Sequence, residues 1–285
     1  MIHSMTGYGK SVLQLPTKKV TIEVKSLNSK SLDLNARIPS IYKEKELTLR
    51  KLLAKKLNRG KVDFSVYVET TAEDTSTQIN TPVVKQYMAQ LKAVVSGNDI
   101  ELLKMAVRMP DALNTVREEI DENEWQAIEV EINNAINHIN DYRLNEGKIL
   151  EQDFKQRITN ISNILDAVIK IDPERVQAVK ERLNKGVAEL KEKYDENRFE
   201  QELVYYIEKY DITEEKVRLK NHLNYFIETL NSKDSNGKKL GFIGQEMGRE
   251  INTIGSKSNY APMQQLVVQM KDELEKIKEQ LLNVL

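Results

Sequence analysis

Two short segments in the second half of the chain carry acidic, basic and imidazole side chains at helical spacing. In the first segment, Glu215, Arg218 and His222 share one face of a predicted helix that begins near Asp211. Carboxylates and an imidazole in this arrangement can bind a hard divalent cation or transfer protons. A purely structural interpretation stays open, because Asp211 and Glu214 match a capping box. In that case Glu215 and Arg218 form an ordinary helical ion pair.

The second segment, residues 244–258, crowds polar side chains onto one helical stretch. Glu246 and Glu250 lie one helical turn apart, and two carboxylates at that spacing repel each other unless a cation neutralises them. Arg249 or a metal ion can supply that positive charge. The segment closes with a small polar loop whose backbone N–H groups and Lys257 suit a phosphate, although the spacing of a P-loop is absent. A helix that ends at a glycine beside a basic residue is the structural alternative.

A third group of candidate residues is basic and lies near the start of the chain. Residues 1–70 hold 14 Lys and Arg against 6 Asp and Glu, a net charge of +8, whereas the remainder of the chain carries −9. The near-neutral total therefore hides two opposed parts, and the basic part has the charge that phosphate neutralisation needs. A solvated helix face is the alternative for any single helix. The densest basic cluster is Lys43, Lys45, Arg50, Lys51, Lys55, Lys56, Arg59 and Lys61.

The composition excludes several classes of chemistry. The 285-residue chain has no cysteine, so disulfides, thiolate metal sites and cysteine nucleophiles are ruled out. Any metal must then be held by oxygen and imidazole ligands, which favours Mg²⁺ or Mn²⁺ over a structural zinc. Neither a Gly-x-Ser-x-Gly nucleophile elbow nor a dinucleotide-binding glycine motif is present. Because the start does not resemble a signal peptide and no apolar run reaches about 18 residues, we expect a cytoplasmic protein without a membrane partner.

Hydrophobic periodicity predicts an α+β fold that starts with a mixed β-sheet. Apolar and polar residues alternate along residues 19–25, 32–38 and 62–69, which is typical of half-buried strands, and residues 2–15 supply one more strand. A helical pattern between residues 41 and 58 separates the last two strands. The first part of the chain is therefore predicted as β-β-β-α-β.

A long, mostly α-helical part follows. Predicted helices cover residues 83–95, 99–108 and 123–171, then Pro173 to about residue 194, then 199–210, a helix from about 211, and a final helix over 263–281. Pro173 is predicted to break the long helix, and residues 231–239 are predicted to form a flexible loop. The heptad-like stripe of the final helix predicts packing on another helix or on a partner subunit. We divide the chain into an N-terminal domain, residues 1–155, and a helical C-terminal domain, residues 156–285.

Motifs spread over the whole chain resemble those of one bacterial family. They are residues 4–9, 24–28, 32–33 and 59–62, Arg143 with Glu146 and Gly147, residues 208–222, and the blocks 245–253 and 256–258. On these residues the chain resembles the YicC/YloC family of stress-associated endoribonucleases. The resemblance implies a divalent-metal-dependent enzyme that cuts single-stranded RNA internally and works as a homo-oligomer, a hexamer.

The resemblance and the polar clustering together give a hypothesis for the site. The predicted catalytic residues are Glu215, His222, Glu246 and Glu250, and the predicted ligands of Mn²⁺ or Mg²⁺ are the same four with Asp211. The predicted RNA contacts are Arg218, Arg249 and Lys257 in the helical part, and Lys51, Lys55, Arg59 and Lys61 in the basic N-terminal domain, which is also expected to mediate oligomerisation.

The chain departs from the family pattern in three places. Residues 29–31 are Ser-Lys-Ser where His-Arg-Phe is usual, Gly248 stands in place of an asparagine, and Tyr260 stands in place of a short acidic residue, so no metal ligand is available there. The first departure keeps an alternative function open, a non-catalytic oligomeric RNA-binding adaptor that delivers RNA to other RNA-degradation enzymes. A purely structural helical assembly, based on the stripe over residues 263–281, is a further alternative.

Overall fold

A four-stranded mixed sheet occupies the first 70 residues. In the computed structural model, which describes residues 2–70, 77–95, 97–115, 120–189, 196–232 and 236–285, its strands are β1 (Gly7–Gln14), β2 (Lys18–Leu27), β3 (Leu32–Arg37) and β4 (Gly60–Thr70). The spatial order is β1-β2-β4-β3, with β3 parallel to β4 and the other pairs antiparallel. The parallel pair needs a crossover connection, which a 3₁₀ helix (Ser40–Lys45) and α1 (Glu46–Leu57) provide. The predicted β-β-β-α-β order is confirmed.

One face of this sheet is buried, as the alternating pattern predicts. Val20, Ile22 and Val24 of β2 are fully buried, and they pack with residues of α1 and with the first part of the long helix α4 (Glu122–Glu189). The opposite face of the sheet carries the polar residues of the alternation. This is the arrangement that half-buried strands adopt when a helical layer covers one side only.

The break predicted at Pro173 is wrong, because α4 runs without interruption through that residue. An internal proline removes one backbone hydrogen bond and costs about 3 kcal/mol, so neighbouring contacts must hold the helix. The Asp172 carboxylate accepts from Arg175 Nε at 2.8 Å and from Lys216 Nζ at 2.7 Å. These partly or fully buried ion pairs fix the region around Pro173 to a later helix, a constraint that local sequence does not reveal.

The segment that connects β4 to α4 in the sequence forms a small lobe. It consists of β5 (Thr77–Ile79), α2 (Thr81–Val94), α3 (Asp99–Ala106) and β6 (Leu113–Thr115), with β5 and β6 paired antiparallel. Both helices are confirmed, including the start of α2 with Pro82 in its first turn. The two strands were not predicted, because three residues are too few to show an alternating pattern.

Four more helices complete the chain: α5 (Glu196–Lys209), α6 (Thr213–Leu230), α7 (Gly237–Lys257) and α8 (Ala261–Leu281). The second half of α4 packs with α6, α7 and α8 around one apolar core. The stripe predicted on the last helix therefore packs within the chain. The loop predicted over 231–239 is shorter than expected, since α7 already begins at Gly237; residues 233–235 lie outside the described ranges. The α+β fold class, a mixed sheet followed by a mostly helical part, is confirmed.

The two ends of the chain meet beside α4. Met5 N donates to Asn283 O at 2.8 Å, Leu285 N donates to His3 O at 2.9 Å, and Ile2 belongs to the helical core. The proposed boundary between residues 155 and 156 falls inside α4 and stays a prediction. None of the helices in the described ranges is long and apolar enough to cross a membrane.

Candidate active site

The two polar segments lie on α6 and α7, which form an antiparallel hairpin. Lys257 Nζ, at the end of α7, lies 2.7 Å from Glu215 Oε1 and donates to Asp211 O at 2.9 Å, at the start of α6. A short connection between two packed helices gives this antiparallel arrangement. The structure therefore brings together Asp211, Glu215 and Lys257, three of the predicted site residues.

Glu215 is the most enclosed carboxylate of the group. The residue is only 5% exposed, and its Oε1 atom accepts a hydrogen bond from Lys257 Nζ. Among the described residues, nothing donates a hydrogen bond to the buried Oε2 atom. Because an unpaired buried polar atom costs free energy, this oxygen is suited to accept a hydrogen bond or a cation from a ligand.

Asp211 shapes the start of α6. Its Oδ1 atom accepts from Thr213 N at 3.1 Å and from Thr213 Oγ1 at 2.7 Å. The hydrogen bond from the Thr213 side chain is the main reason why the pKa of Asp211 is lowered. The structural alternative, a capping box of Asp211 with Glu214 beside an ion pair of Glu215 with Arg218, is wrong. The Glu214 side chain pairs with Arg218 one turn later, so Arg218 does not pair with Glu215.

Helix geometry puts His222 and Glu250 at the same level along the hairpin. Glu250 precedes Lys257 by seven residues, and His222 follows Glu215 by seven, so both lie about two turns, roughly 10 Å, from the Glu215–Lys257 pair. Two antiparallel helices tied at that pair place Glu250 and His222 at the same level. We call Glu215, His222, Glu250 and Lys257 the α6–α7 seam.

Glu250 combines burial with the absence of a partner. The residue is only 8% exposed, and no described side chain forms a hydrogen bond or an ion pair with its carboxylate. The opposite side of α7 packs on α8, where a Cβ at Gly248 would lie 3.4 Å from Leu274 Cδ2. Glycine at this departure from the family pattern thus suits close helix packing. A carboxylate of a largely buried residue that no described group holds is free to accept a proton or to bind a cation.

Glu246 is neutralised by a neighbour on its own helix. Arg249 Nη1 lies 2.8 Å from Glu246 Oε1, which is one of the two solutions that the sequence left open. The Arg249 side chain is 73% exposed, so this ion pair contributes little stability. A phosphate can therefore compete for Arg249 at small energetic cost.

The predicted metal ligands do not form a compact cage. Among the described residues, no group of three or more His, Asp and Glu side chains is placed to hold a metal ion. The five predicted ligands are instead distributed along the hairpin. Mg²⁺ often uses only one or two carboxylates and completes its shell with water and substrate phosphates. The unpaired Glu215 oxygen, or Glu250 at the level of His222, supplies the one or two ligands that an open site of that kind needs.

A supporting network missed by sequence reasoning anchors this hairpin to α4. Lys216, the residue after Glu215, reaches Asp172, which also holds the buried Arg175. Tyr260 Oη lies 3.4 Å from Glu174 Oε2 on the same stretch of α4. No local pattern signals these contacts, because the partners are separated by 44 and 86 residues. They fix the end of the seam where Glu215 and Lys257 meet.

The basic cluster of the N-terminal domain is partly neutralised within the chain. Lys43 and Arg50 pair with Glu46, and Lys45 pairs with Glu122. Arg59 Nε donates to Ser29 O at 2.8 Å, so its guanidinium is partly engaged by backbone. The predicted phosphate contacts that are exposed and have no carboxylate partner among the described residues are Lys51, Lys55 and Lys61.

The fold and the site define a class of protein: an α+β chain whose helical hairpin holds partly enclosed acid–base groups, with a separate basic surface. Family models agree with this assignment over nearly the whole length. "Endoribonuclease YicC-like, N-terminal region" matches residues 2–152, and "Endoribonuclease YicC-like, C-terminal" matches residues 168–285. The chain belongs to the YicC-like endoribonuclease family, which confirms the resemblance seen in its motifs.

Two curated relatives are similar over their full lengths. The probable endoribonuclease YicC of Clostridioides difficile (strain 630) is 33% identical over 293 residues, and the alignment covers 100% of both chains. The probable endoribonuclease YicC of Haemophilus influenzae (strain ATCC 51907 / DSM 11121 / KW20 / Rd) is 28% identical over 292 residues, again covering 100% of both.

Proposed function

We propose that this protein is an endoribonuclease that cleaves single-stranded RNA internally at the α6–α7 seam, and that it acts in RNA turnover. The observation that carries the proposal is Glu250, a largely buried residue at the level of His222 whose carboxylate has no hydrogen-bond or ion-pair partner among the described residues. The two full-length relatives are named probable endoribonucleases, which supports the reaction class.

Internal cleavage of RNA requires two proton transfers at one phosphodiester. The attacking oxygen must lose a proton, and the leaving ribose oxygen must gain one. In our proposal Glu250 accepts the first proton and His222 donates the second. Arg249 and Lys257 then supply positive charge where the phosphoryl oxygens become more negative. Glu246, held by Arg249, sets the position of that guanidinium.

A divalent cation, Mn²⁺ or Mg²⁺, is the alternative use of the same side chains. In that case Glu250 and His222 would hold the ion together with an RNA phosphate instead of transferring protons, with Glu215, Glu246 and Asp211 as the remaining predicted ligands. Such an ion neutralises phosphate charge and lowers the pKa of a bound water. The open donor set described above is the reason to expect that the ion binds more tightly when RNA is present.

We further propose that the protein works as a cytoplasmic homo-oligomer, a hexamer. The small lobe supports an interface between copies, because several large apolar side chains of α2 and α3 and their connections are exposed: Val94, Val95, Ile100, Leu103 and Met105. Light scattering of the purified protein tests this part, and a monomer at micromolar concentration would contradict it.

A second candidate function is an RNA-binding adaptor without catalysis. It is favoured by the ion pairs that already occupy Glu215 and Glu246, since paired carboxylates can simply join helices. In that role the basic surface would deliver RNA to other degradation enzymes.

One assay separates the two functions. Purified protein is incubated with end-labelled single-stranded RNA in Mn²⁺, in Mg²⁺, or with chelator, and the products are resolved by length. Internal cuts that need the metal support the proposed enzyme. Retarded RNA without cuts supports the adaptor, and absence of binding at low salt removes both functions.

A further inference from the structure

One end of the α6–α7 hairpin presents aromatic and basic side chains that the proposed chemistry does not use. Phe242 of α7 is 57% exposed and Tyr225 of α6 is 44% exposed. Lys239 Nζ lies 4.7 Å from the centre of the Tyr225 ring. These three residues, which we call the aromatic end, lie near the connection between the helices, away from the Glu215–Lys257 pair.

The ammonium group of Lys239 is held by a ring and not by a carboxylate. Among the described residues, no Asp or Glu forms an ion pair with Lys239, whereas Lys276 and Lys278 of α8 each pair with a carboxylate. A cation–π contact fixes the direction of the side chain without neutralising its charge. Lys239 therefore remains able to bind an anion.

Phe242 supplies the complementary surface. A single exposed apolar residue needs no explanation, but this ring lies one turn from an unneutralised lysine. Exposed aromatic rings beside cations are the combination that binds single-stranded nucleic acid, because bases stack on the ring while cations bind the phosphates.

The helix geometry connects this end to the seam. Phe242 and Arg249 are seven residues apart on α7, two turns along nearly the same exposed side, and Lys257 ends the helix. A strand that stacks a base on Phe242 can run along α7, pass Arg249 and bring a phosphate to the level of Glu250. Lys238 adds a further exposed cation at the start of that path.

We propose that the aromatic end is a base-binding subsite for single-stranded RNA, in which Phe242 stacks on a base and Lys239, oriented by Tyr225, binds the neighbouring phosphate. The subsite rests on the proposed RNA cleavage and determines where the strand enters the seam. It favours unpaired RNA, because a base in a duplex offers no free face to the ring.

The test measures equilibrium binding of a fluorescein-labelled single-stranded RNA and of its abasic analogue, in chelator so that no cleavage occurs. Phe242→Ala and Phe242→Leu should each weaken binding of the base-containing RNA by about tenfold, while Phe242→Tyr keeps it. The abasic RNA should bind all these variants equally well. Val268→Ala, which shortens an exposed apolar side chain on α8, is the matched control and should leave both affinities unchanged.

A second variant tests the phosphate contact. Lys239→Gln should reduce the slope of log affinity against log salt by about 0.7, the value for one phosphate on a single strand. Tyr225→Phe should retain the wild-type slope, since the ring still orients the lysine, and Tyr225→Leu should reduce the slope.

The outcomes distinguish the subsite from the enzyme. If wild-type protein cleaves RNA and Phe242→Leu binds both RNAs as the wild type does, the subsite is wrong and the proposed function stands. If Phe242→Ala changes the oligomeric state instead of RNA affinity, the aromatic end contacts protein and the subsite is again overturned. If the wild-type protein binds no RNA at low salt, both proposals fall.

Discussion

At the scale of single residues, the seam is organised by one contact between carboxylate and ammonium. Glu215 is enclosed and depends on Lys257 for its only ion pair among the described residues. Removing one partner of such a pair leaves a charge that neither water nor protein satisfies. The exposed part of Lys257 moderates the effect, because water can enter from that side.

We expect Lys257→Met to lower the free energy of unfolding by about 1–3 kcal/mol, since it strands the Glu215 charge. Adding Glu215→Gln to the Lys257→Met variant should recover most of the lost free energy of unfolding. Urea unfolding of the two single variants and the double variant gives the coupling free energy between the two residues. Losses that simply add in the double variant would show that the pair contributes nothing.

The lowered pKa of Asp211 makes a separate prediction about pH. A carboxyl group whose pKa is lower in the folded chain than in the unfolded chain stabilises the fold above its unfolded pKa of about 3.9, and that contribution is lost as pH falls. Asp211→Ala should therefore lower the melting temperature at pH 7 and have a smaller effect at pH 3. Asp141→Ala, at an exposed position of α4, is the control, and an equal effect of Asp211→Ala at both pH values would contradict the account.

At the scale of elements, helix α4 supports both the sheet and the hairpin. Two of its glycines differ in how closely other parts of the chain approach the helix. A Cβ on Gly147 would lie 2.0 Å from the backbone oxygen of Ile2, whereas a Cβ on Gly186 would meet nothing within 4 Å. The first glycine is required by the close approach of the N-terminal segment. The second lies at an open position of the same helix.

These two positions give a matched prediction. Gly147→Ala should destabilise the protein strongly, by more than 2 kcal/mol, because backbone must move to admit the methyl group. Gly186→Ala should stabilise it by up to about 1 kcal/mol, as alanine does inside exposed helix. Thermal unfolding of both variants checks this, and similar melting temperatures for the two would refute the packing described at Gly147.

The same scale shows what local sequence could predict. The alternation along β2 and Pro82 at the start of α2 are sufficient to predict that strand and that helix, because each signal depends only on neighbouring residues. The break at Pro173 was wrong, because the compensating contact with Lys216 lies 44 residues away. The Glu215–Lys257 pair joins residues 42 apart for the same reason. Sequence thus supplied the residue types of the site, and tertiary packing decided which of them met.

Arg143 illustrates the limit most clearly. It belongs to one of the family motifs, but nothing in the spacing of that motif indicates that the guanidinium is buried without a carboxylate partner among the described residues. It donates to the backbone oxygens of Met5, Leu57 and Arg59 and to the Ser26 hydroxyl. Burial lowers its pKa to about 10. One side chain thereby ties three segments of the N-terminal part to α4.

At the scale of the whole molecule, charge is divided between the two parts of the chain. The basic first 70 residues keep exposed lysines without carboxylate partners among the described residues, while the enclosed carboxylates lie on the α6–α7 hairpin. In the proposed enzyme the first part contributes sequence-independent affinity for phosphates, and the hairpin contributes the chemistry.

This division predicts a salt effect. Replacing Lys51, Lys55 and Lys61 together by glutamine should reduce the slope of log affinity for single-stranded RNA against log salt by about 2, if each lysine neutralises one phosphate. Neutralising Lys104 and Lys276, which already pair with carboxylates, should change the slope little. An unchanged slope in the triple variant would show that RNA binds elsewhere.

The most direct test of the central claim is the rate of internal RNA cleavage by Glu250→Gln, measured in Mn²⁺ and in Mg²⁺ beside the wild type. Glu228→Gln, at an exposed position of α6, is the matched control, and melting temperatures confirm that each variant is folded. The account predicts that Glu250→Gln cleaves roughly 10²- to 10⁴-fold more slowly than the wild type, with Glu228→Gln unchanged. Cleavage by a folded Glu250→Gln protein at the wild-type rate would contradict it.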